Sequence, residues 1–116
     1  MPVSLKRIYD PASETDGYRV LIDRLWPRGI SKSRAQLDEW ARELAPSTEL
    51  RTWFRHDPSR FQEFRRRYEA ELSSQKEKLG ELRARARTGK LTLLYAARDT
   101  EHNDAVVIAE VIARPG

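Results

Sequence analysis

The 116 residues suit one domain, and the absence of cysteine excludes disulfides, thiol nucleophiles and thiolate metal sites. The chain is 39% hydrophobic and 34% charged, with 22 Lys and Arg against 18 Asp and Glu and a net charge of +4. This modest, mostly arginine excess fits an anionic ligand without demanding nucleic acid, and a solvated basic surface accounts for it equally well.

The first strand is expected over Val3–Tyr9, where side chains alternate loosely, and Asp10-Pro11 ends it. Ala12 to Gly17 is small and polar and reads as a loop with an Asp16-Gly17 turn. Tyr18–Arg24 is the second strand. Its continuous Val20-Leu21-Ile22 centre is the pattern of a strand covered on both faces, typical of a parallel sheet. Trp26 precedes a proline and is therefore held extended. Pro27 suits the second position of a type I turn, with Gly29 at the fourth.

Ser31 to Ala45 supports two readings. Leu37, Trp40, Ala41 and Leu44 fall at helical spacing, while a short helix over Ser31–Ala35 followed by an extended segment through Trp40 fits as well. Ser47 or Thr48 can cap a short helix carrying Leu50, Trp53 and Phe54 on one face. Asp57-Pro58 starts the next helix. From there Phe61, Phe64, Tyr68, Leu72, Leu79, Leu82 and Ala86 keep one stripe, so one long helix to Thr88 is expected, with a kink near Gly80. Arg65-Arg66-Arg67 and the later charges lie off that stripe, as a solvated face would. Leu91–Ala97 is the last strand and Glu101–Ala113 the last helix, capped by Asp99 or Thr100. The expected class is α/β, a small and mostly parallel sheet with helices on both faces, one layer including a long helix, and a single domain over residues 1–116.

Parallel strands would align their carboxyl ends along one edge, where open α/β sheets bind ligands. That edge would gather Tyr9 and Asp10, then Asp23, Arg24, Trp26 and Arg28, then Arg98, Asp99 and Thr100, with His102 and Asn103 at the last helix. Arg24, Arg28 and Arg98 suit a phosphate or carboxylate, which guanidinium grips with two parallel hydrogen bonds. Asp23, Asp99 and His102 are the candidates for proton transfer, and Asp23 and Arg24 the pair nearest the centre. Each has a plainer role: Asp23 as an internal ion partner, Trp26 as core, Asn103 as a local hydrogen-bonding residue. Two histidines, His56 and His102, without cysteine argue against zinc, and Asp57 beside His56 is explained by capping. WPRGISKS matches neither phosphate-loop pattern. No cofactor is expected.

DGYRVLIDRLWPRG (Asp16 to Gly29), LDEWARELAPSTELRTWF (Leu37 to Phe54), FRRRYEAEL (Phe64 to Leu72) and LTLLYAARDTEHNDAVVIAE (Leu91 to Glu110) together resemble the YeaO-like proteins, domain-of-unknown-function family 488. The resemblance implies an α/β fold and an extended Gln36 to Leu44. It aligns Asp23, Arg24, Trp26, Pro27, Arg28 and Gly29, together with Pro46, Ser47 and Asn103, with the family's motifs. Asp104 departs from it, because similar sequences tend to carry His there. The resemblance supplies no reaction.

Three functions follow as expectations. The first is binding of a small anionic or nucleotide-like molecule, by an enzyme or a domain derived from one. Tyr9, Trp26, Arg28, Arg98 and Asn103 would hold the ligand, and Asp23 with Arg24 would supply chemistry. The second is nucleic-acid or regulatory binding through the arginine-rich helix. The third is a protein partner on a patch of Trp40, Trp53 and Phe54. No apolar run has membrane-spanning or signal-peptide character, so a soluble, cytoplasmic protein is expected.

Overall fold

The computed structural model describes residues 3–114. Four strands, β1 (Val3–Arg7), β2 (Tyr18–Leu21), β3 (Glu39–Trp40) and β4 (Leu91–Tyr95), form one sheet in the order β1-β4-β2-β3. Every pairing is parallel, with Leu5 opposite Leu93, Val20 opposite Leu93 and Leu21 opposite both Leu94 and Trp40. The helices are α1 (Lys32–Ala35), α2 (Thr48–Phe54), α3 (Phe61–Leu72), α4 (Lys76–Thr88) and α5 (Asp104–Ala113). The α/β class and the parallel sheet are as the sequence predicts.

Residues of the two central strands alternate between the faces, and both faces are covered. Val20, Ile22, Leu91, Leu93 and Tyr95 join the apolar core made with α2 to α5. Leu21 and Leu94 join a smaller cluster with Ile8, Ile30 and Ala35, edged by Trp26 and Trp40. The layers are unequal: the opposite face carries the one turn of α1 and the segments beside it. At the amino end of that face the packing is polar and buried. Arg19, Asp16 and Thr92 meet there, and the Thr92 hydroxyl donates to Asp16 O at 2.6 Å.

Three local expectations are corrected. The expected long helix is two, α3 and α4. Ser73 and Ser74 hydroxyls donate to the Ala70 and Glu71 carbonyls, and Gln75 N–H to Leu72 O, which closes α3 before Lys76 begins again. Gly80 lies inside α4. The Pro27 turn is shifted by one residue. It runs from Pro27 to Ile30, whose N–H donates to Pro27 O, and Gly29 sits third with φ +81°. The final helix is capped by Asn103, not Asp99 or Thr100, because Asp99 is turned back to accept from Glu101 N–H and His102 N–H. Between Ser31 and Leu44 the reading with a short helix followed by an extended segment is the one realised: Ser31 caps α1, and β3 follows.

Candidate functional site

A cleft of about 380 Å³ opens at the carboxyl ends of β2 and β4, within the size range of small-molecule sites. Its floor follows from the strand register. With Leu21 opposite Leu94 and Ile22 N–H donating to Leu94 O at 3.2 Å, the next residue of each chain segment leaves the ladder side by side. Asp23 Oδ2 there accepts from Ala96 N–H at 2.8 Å. Because the strand ends before it, Asp23 is free to turn toward the helical layer. There it faces Asp104, in the first turn of α5, and the two carboxyl groups lie close enough to shift each other's titration.

Two carboxyl groups in contact cannot both stay ionised at ordinary cost. Burial raises the pKa of Asp23, opposed by its hydrogen bonds to Asp104 and Ala96 N–H and by the charges of His56 and Arg51. Burial also raises Asp104, well above the usual carboxylate range, and the neighbouring Asp23 charge adds to it. The amino end of α5 would favour a carboxylate by about 0.3–1 kcal/mol. Desolvation and the Asp23 charge outweigh that. Both carboxyl groups are therefore held above the usual carboxylate range, Asp104 the further of the two.

The walls come from three segments. The turn after β2 gives Arg24, Leu25, Trp26, Pro27 and Arg28. The Trp26 indole N–H donates to Ile30 O at 2.6 Å and its ring meets Trp40 edge-on at 5.3 Å, so it is both core and wall. The Tyr9 hydroxyl donates to Arg28 O at 3.0 Å and fixes the turn. The second wall, Ala45 and Pro46, is held by α3. Ser47 N–H and hydroxyl both donate to the Glu71 carboxylate at 2.8 and 2.6 Å, and Tyr68 donates to Leu44 O. Arg24 reaches across to Pro46 O at 3.1 Å. The third wall is Arg51, Phe54 and His56, with Phe64 stacked on Phe54 at 4.2 Å.

Of the residues singled out from the sequence, Tyr9, Asp23, Arg24, Trp26, Arg28 and Asn103 line the cleft. Arg98, Asp10, Asp99, Thr100 and His102 do not. Asp99 bonds His102 Nδ1 at 2.9 Å, and that ring packs edge-on against Phe61. Asn103 is buried with both polar atoms engaged, its Oδ1 by Val106 N–H and its Nδ2 by Asp99 O. Its role in the geometry is to start α5 and so place Asp104.

Arg51, His56 and Asp104 complete the site and were not assigned to it from the sequence. Arg55 and His56 adopt φ of +50° and +55°, two left-handed non-glycine residues in a row. Such conformations cost on the order of 1 kcal/mol or more each and collect at functional sites. Nothing in the residue types announces them. No group of three or more potential metal ligands occurs among the described residues.

The carboxyl pair makes a testable statement about stability. Its folded pKa values lie above those of the unfolded chain, so the folded state keeps a proton that the unfolded state releases. Its contribution is fully present below about pH 4 and is lost as pH rises through the folded value. Asp104→Asn removes the repulsion. We expect the variant to be more stable than the parent at pH 8, by on the order of 1 kcal/mol, with a smaller or no gain at pH 4. Thermal melts of both proteins across this range measure it.

Fold and site together define a small parallel-sheet α/β protein with a cleft of mixed charged and apolar lining at the carboxyl edge of its central strands. The chain belongs to the DUF488 family. Residues 2–115 match the model described as the inactive DUF488-N3 subclade. It is 47% identical over 110 residues to the uncharacterised protein YeaO of Escherichia coli, covering 95% of this chain and 96% of that protein. It is 39% identical over 110 residues to the uncharacterised protein Rv3073c of Mycobacterium tuberculosis, covering 95% and 92%. An uncharacterised protein of Mycobacterium bovis matches to the same extent. No solved structure matches the chain.

Proposed function

We propose that the chain binds a small anion-bearing or nucleotide-like molecule in the cleft, with Arg24, Arg28 and Arg51 around the anion. One observation carries this reading. Those three exposed arginines converge on one cleft, and none forms a salt bridge among the described residues. Arg19, Arg60, Arg65, Arg66, Arg67 and Arg114 are all paired with acids. The carboxyl pair on the floor offsets part of the positive charge. Phe54, Phe64, Trp26, Pro27 and Pro46 give an apolar wall suited to the body of a ligand. The subclade's description as inactive favours binding over turnover.

Nucleic-acid binding through the helices has less support. Arg66 and Arg67 hold Glu63 down at about 2, and Arg60 and Arg67 flank the Trp53 ring. The patch of Trp40, Trp53 and Phe54 is likewise occupied: Phe54 is core, the Trp40 indole donates to Asp23 O, and arginines cover both indoles.

Calorimetric titration with inorganic phosphate tests the proposal. Charge-assisted hydrogen bonds are worth about 1.5–3 kcal/mol each. Arg28→Ala with Arg51→Ala should therefore weaken binding at least about tenfold with no loss of fold. Equal affinity of parent and double variant would sink the reading.

A further inference from the structure

The floor of the cleft differs in kind from its walls. Asp23 Oδ2 accepts from Ala96 N–H, Asp104 Oδ1 accepts from Ala105 N–H, and both carboxyl groups line the cleft. What they present to the cleft is carboxylate oxygen, which accepts hydrogen bonds. An anion alone would satisfy the arginines and leave this floor with water. A neutral group with both donors and acceptors would leave its own acceptors facing oxygen. A protonated primary amine, which has three donors and a positive charge, matches the floor. It also relieves the repulsion between the two neighbouring carboxyl groups.

We propose that the ligand of this cleft is a small zwitterion, with a phosphate or carboxylate held by Arg28 and Arg51 and a protonated amine held by Asp23 and Asp104. This rests on the reading of the cleft as an anion site and adds the second half of the molecule. Arg51 and His56 face the same floor from α2 and from the turn after it, and Arg24 from the turn after β2. The positive field of Arg24 and Arg51 disfavours an amine without an attached anion. The two ends of the ligand are therefore coupled, and neither alone should bind as well as the whole.

Four probes test this: inorganic phosphate, ethyl phosphate, O-phosphoethanolamine and ethylamine. O-phosphoethanolamine is expected to bind at least tenfold more tightly than ethyl phosphate, which has the same ester and no amine. Its binding should release a proton, read as a calorimetric heat that varies with the ionisation heat of the buffer. In Asp104→Asn the tenfold preference for O-phosphoethanolamine over ethyl phosphate should disappear. Equal binding of the two esters by the parent overturns the amine site and leaves the anion site standing. Tight binding of ethylamine with no binding of any phosphate removes the arginine site, and with it the zwitterion. No binding by any of the four overturns both.

Discussion

Gly17→Ala should lower the melting temperature by more than about 10 °C. Gly17 has φ +68° with ψ −133°, a region open to glycine alone. A Cβ there would lie 2.3 Å from Lys90 O and 2.7 Å from Lys90 Cβ. The obstacle is backbone, so no rotamer change relieves it. The same Lys90 carbonyl accepts from Tyr18 N–H at 2.9 Å, where β2 meets β4. Moving it away breaks the first bond between the central strands. Strain and overpacking each cost about 1–3 kcal/mol, and a few kcal/mol is a large share of the stability of a domain this size. A thermal melt reads the effect directly. A variant melting within 2–3 °C of the parent, on the order of a 0.5 kcal/mol change, would mean that β2 and β4 do not meet as described.

Arg19→Met should cost about 3–5 kcal/mol, the scale for removing one member of a buried ion pair. The Arg19 side chain is 5% exposed and bonds Asp16 Oδ2 at 2.6 Å. It also donates to the Ala35 and Gln36 carbonyls, closing the end of α1. Burial alone would raise the Asp16 pKa. Ser13 N–H, Lys6 and Arg19 outweigh it and hold the carboxylate below its usual range. Stability from this group is therefore present above about pH 4 and falls as pH drops through the lowered value. Without Arg19, the carboxylate keeps Lys6 and Ser13, but the Ala35 carbonyl loses its partner. Lys6→Met should cost less, since Lys6 is more exposed. Adding Asp16→Asn to Arg19→Met should restore part of the loss, because the two share one network. Urea denaturation of the set measures this. Additive losses would contradict the network.

The two largest stability effects thus sit at the amino edge of the sheet, away from the cleft, which is why the cleft can be altered without loss of fold. Asp104→Asn is expected to act in the opposite sense. A carboxyl pair that lowers stability at neutral pH, next to two left-handed residues, is the kind of local cost that a packed structure retains at a site.

The sheet was legible because Val20-Leu21-Ile22 and Leu91 to Tyr95 are short, almost wholly apolar runs bounded by turn residues, the pattern of strands covered on both faces. The same runs end in Asp23 and Ala96, so the edge was legible too. The break in the long helix was not. Leu72 and Leu79 keep the apolar stripe in phase across Ser73 to Gln75, and periodicity cannot see a break that preserves phase. Arg98 was given a place at the edge because it follows β4, but a strand end fixes only where a side chain starts. The acidic pair was hidden for a different reason. Asp23 and Asp104 are far apart in the chain and are brought together by Asn103, which read as a local hydrogen-bonding residue and proves to cap α5. Asp104 stood out only as a departure from similar sequences. Its partner becomes visible only when β2 and α5 are placed together.

The central claim is that the anion sits in the cleft and not on the basic helices. Amide chemical shifts recorded while inorganic phosphate is added locate it most directly. The account predicts shifts concentrated in Asp23 to Gly29, Arg51 to Asp57 and Ala96 to Ala105. Shifts concentrated in Arg65 to Arg87, or no saturable shift in the turn after β2, would contradict it.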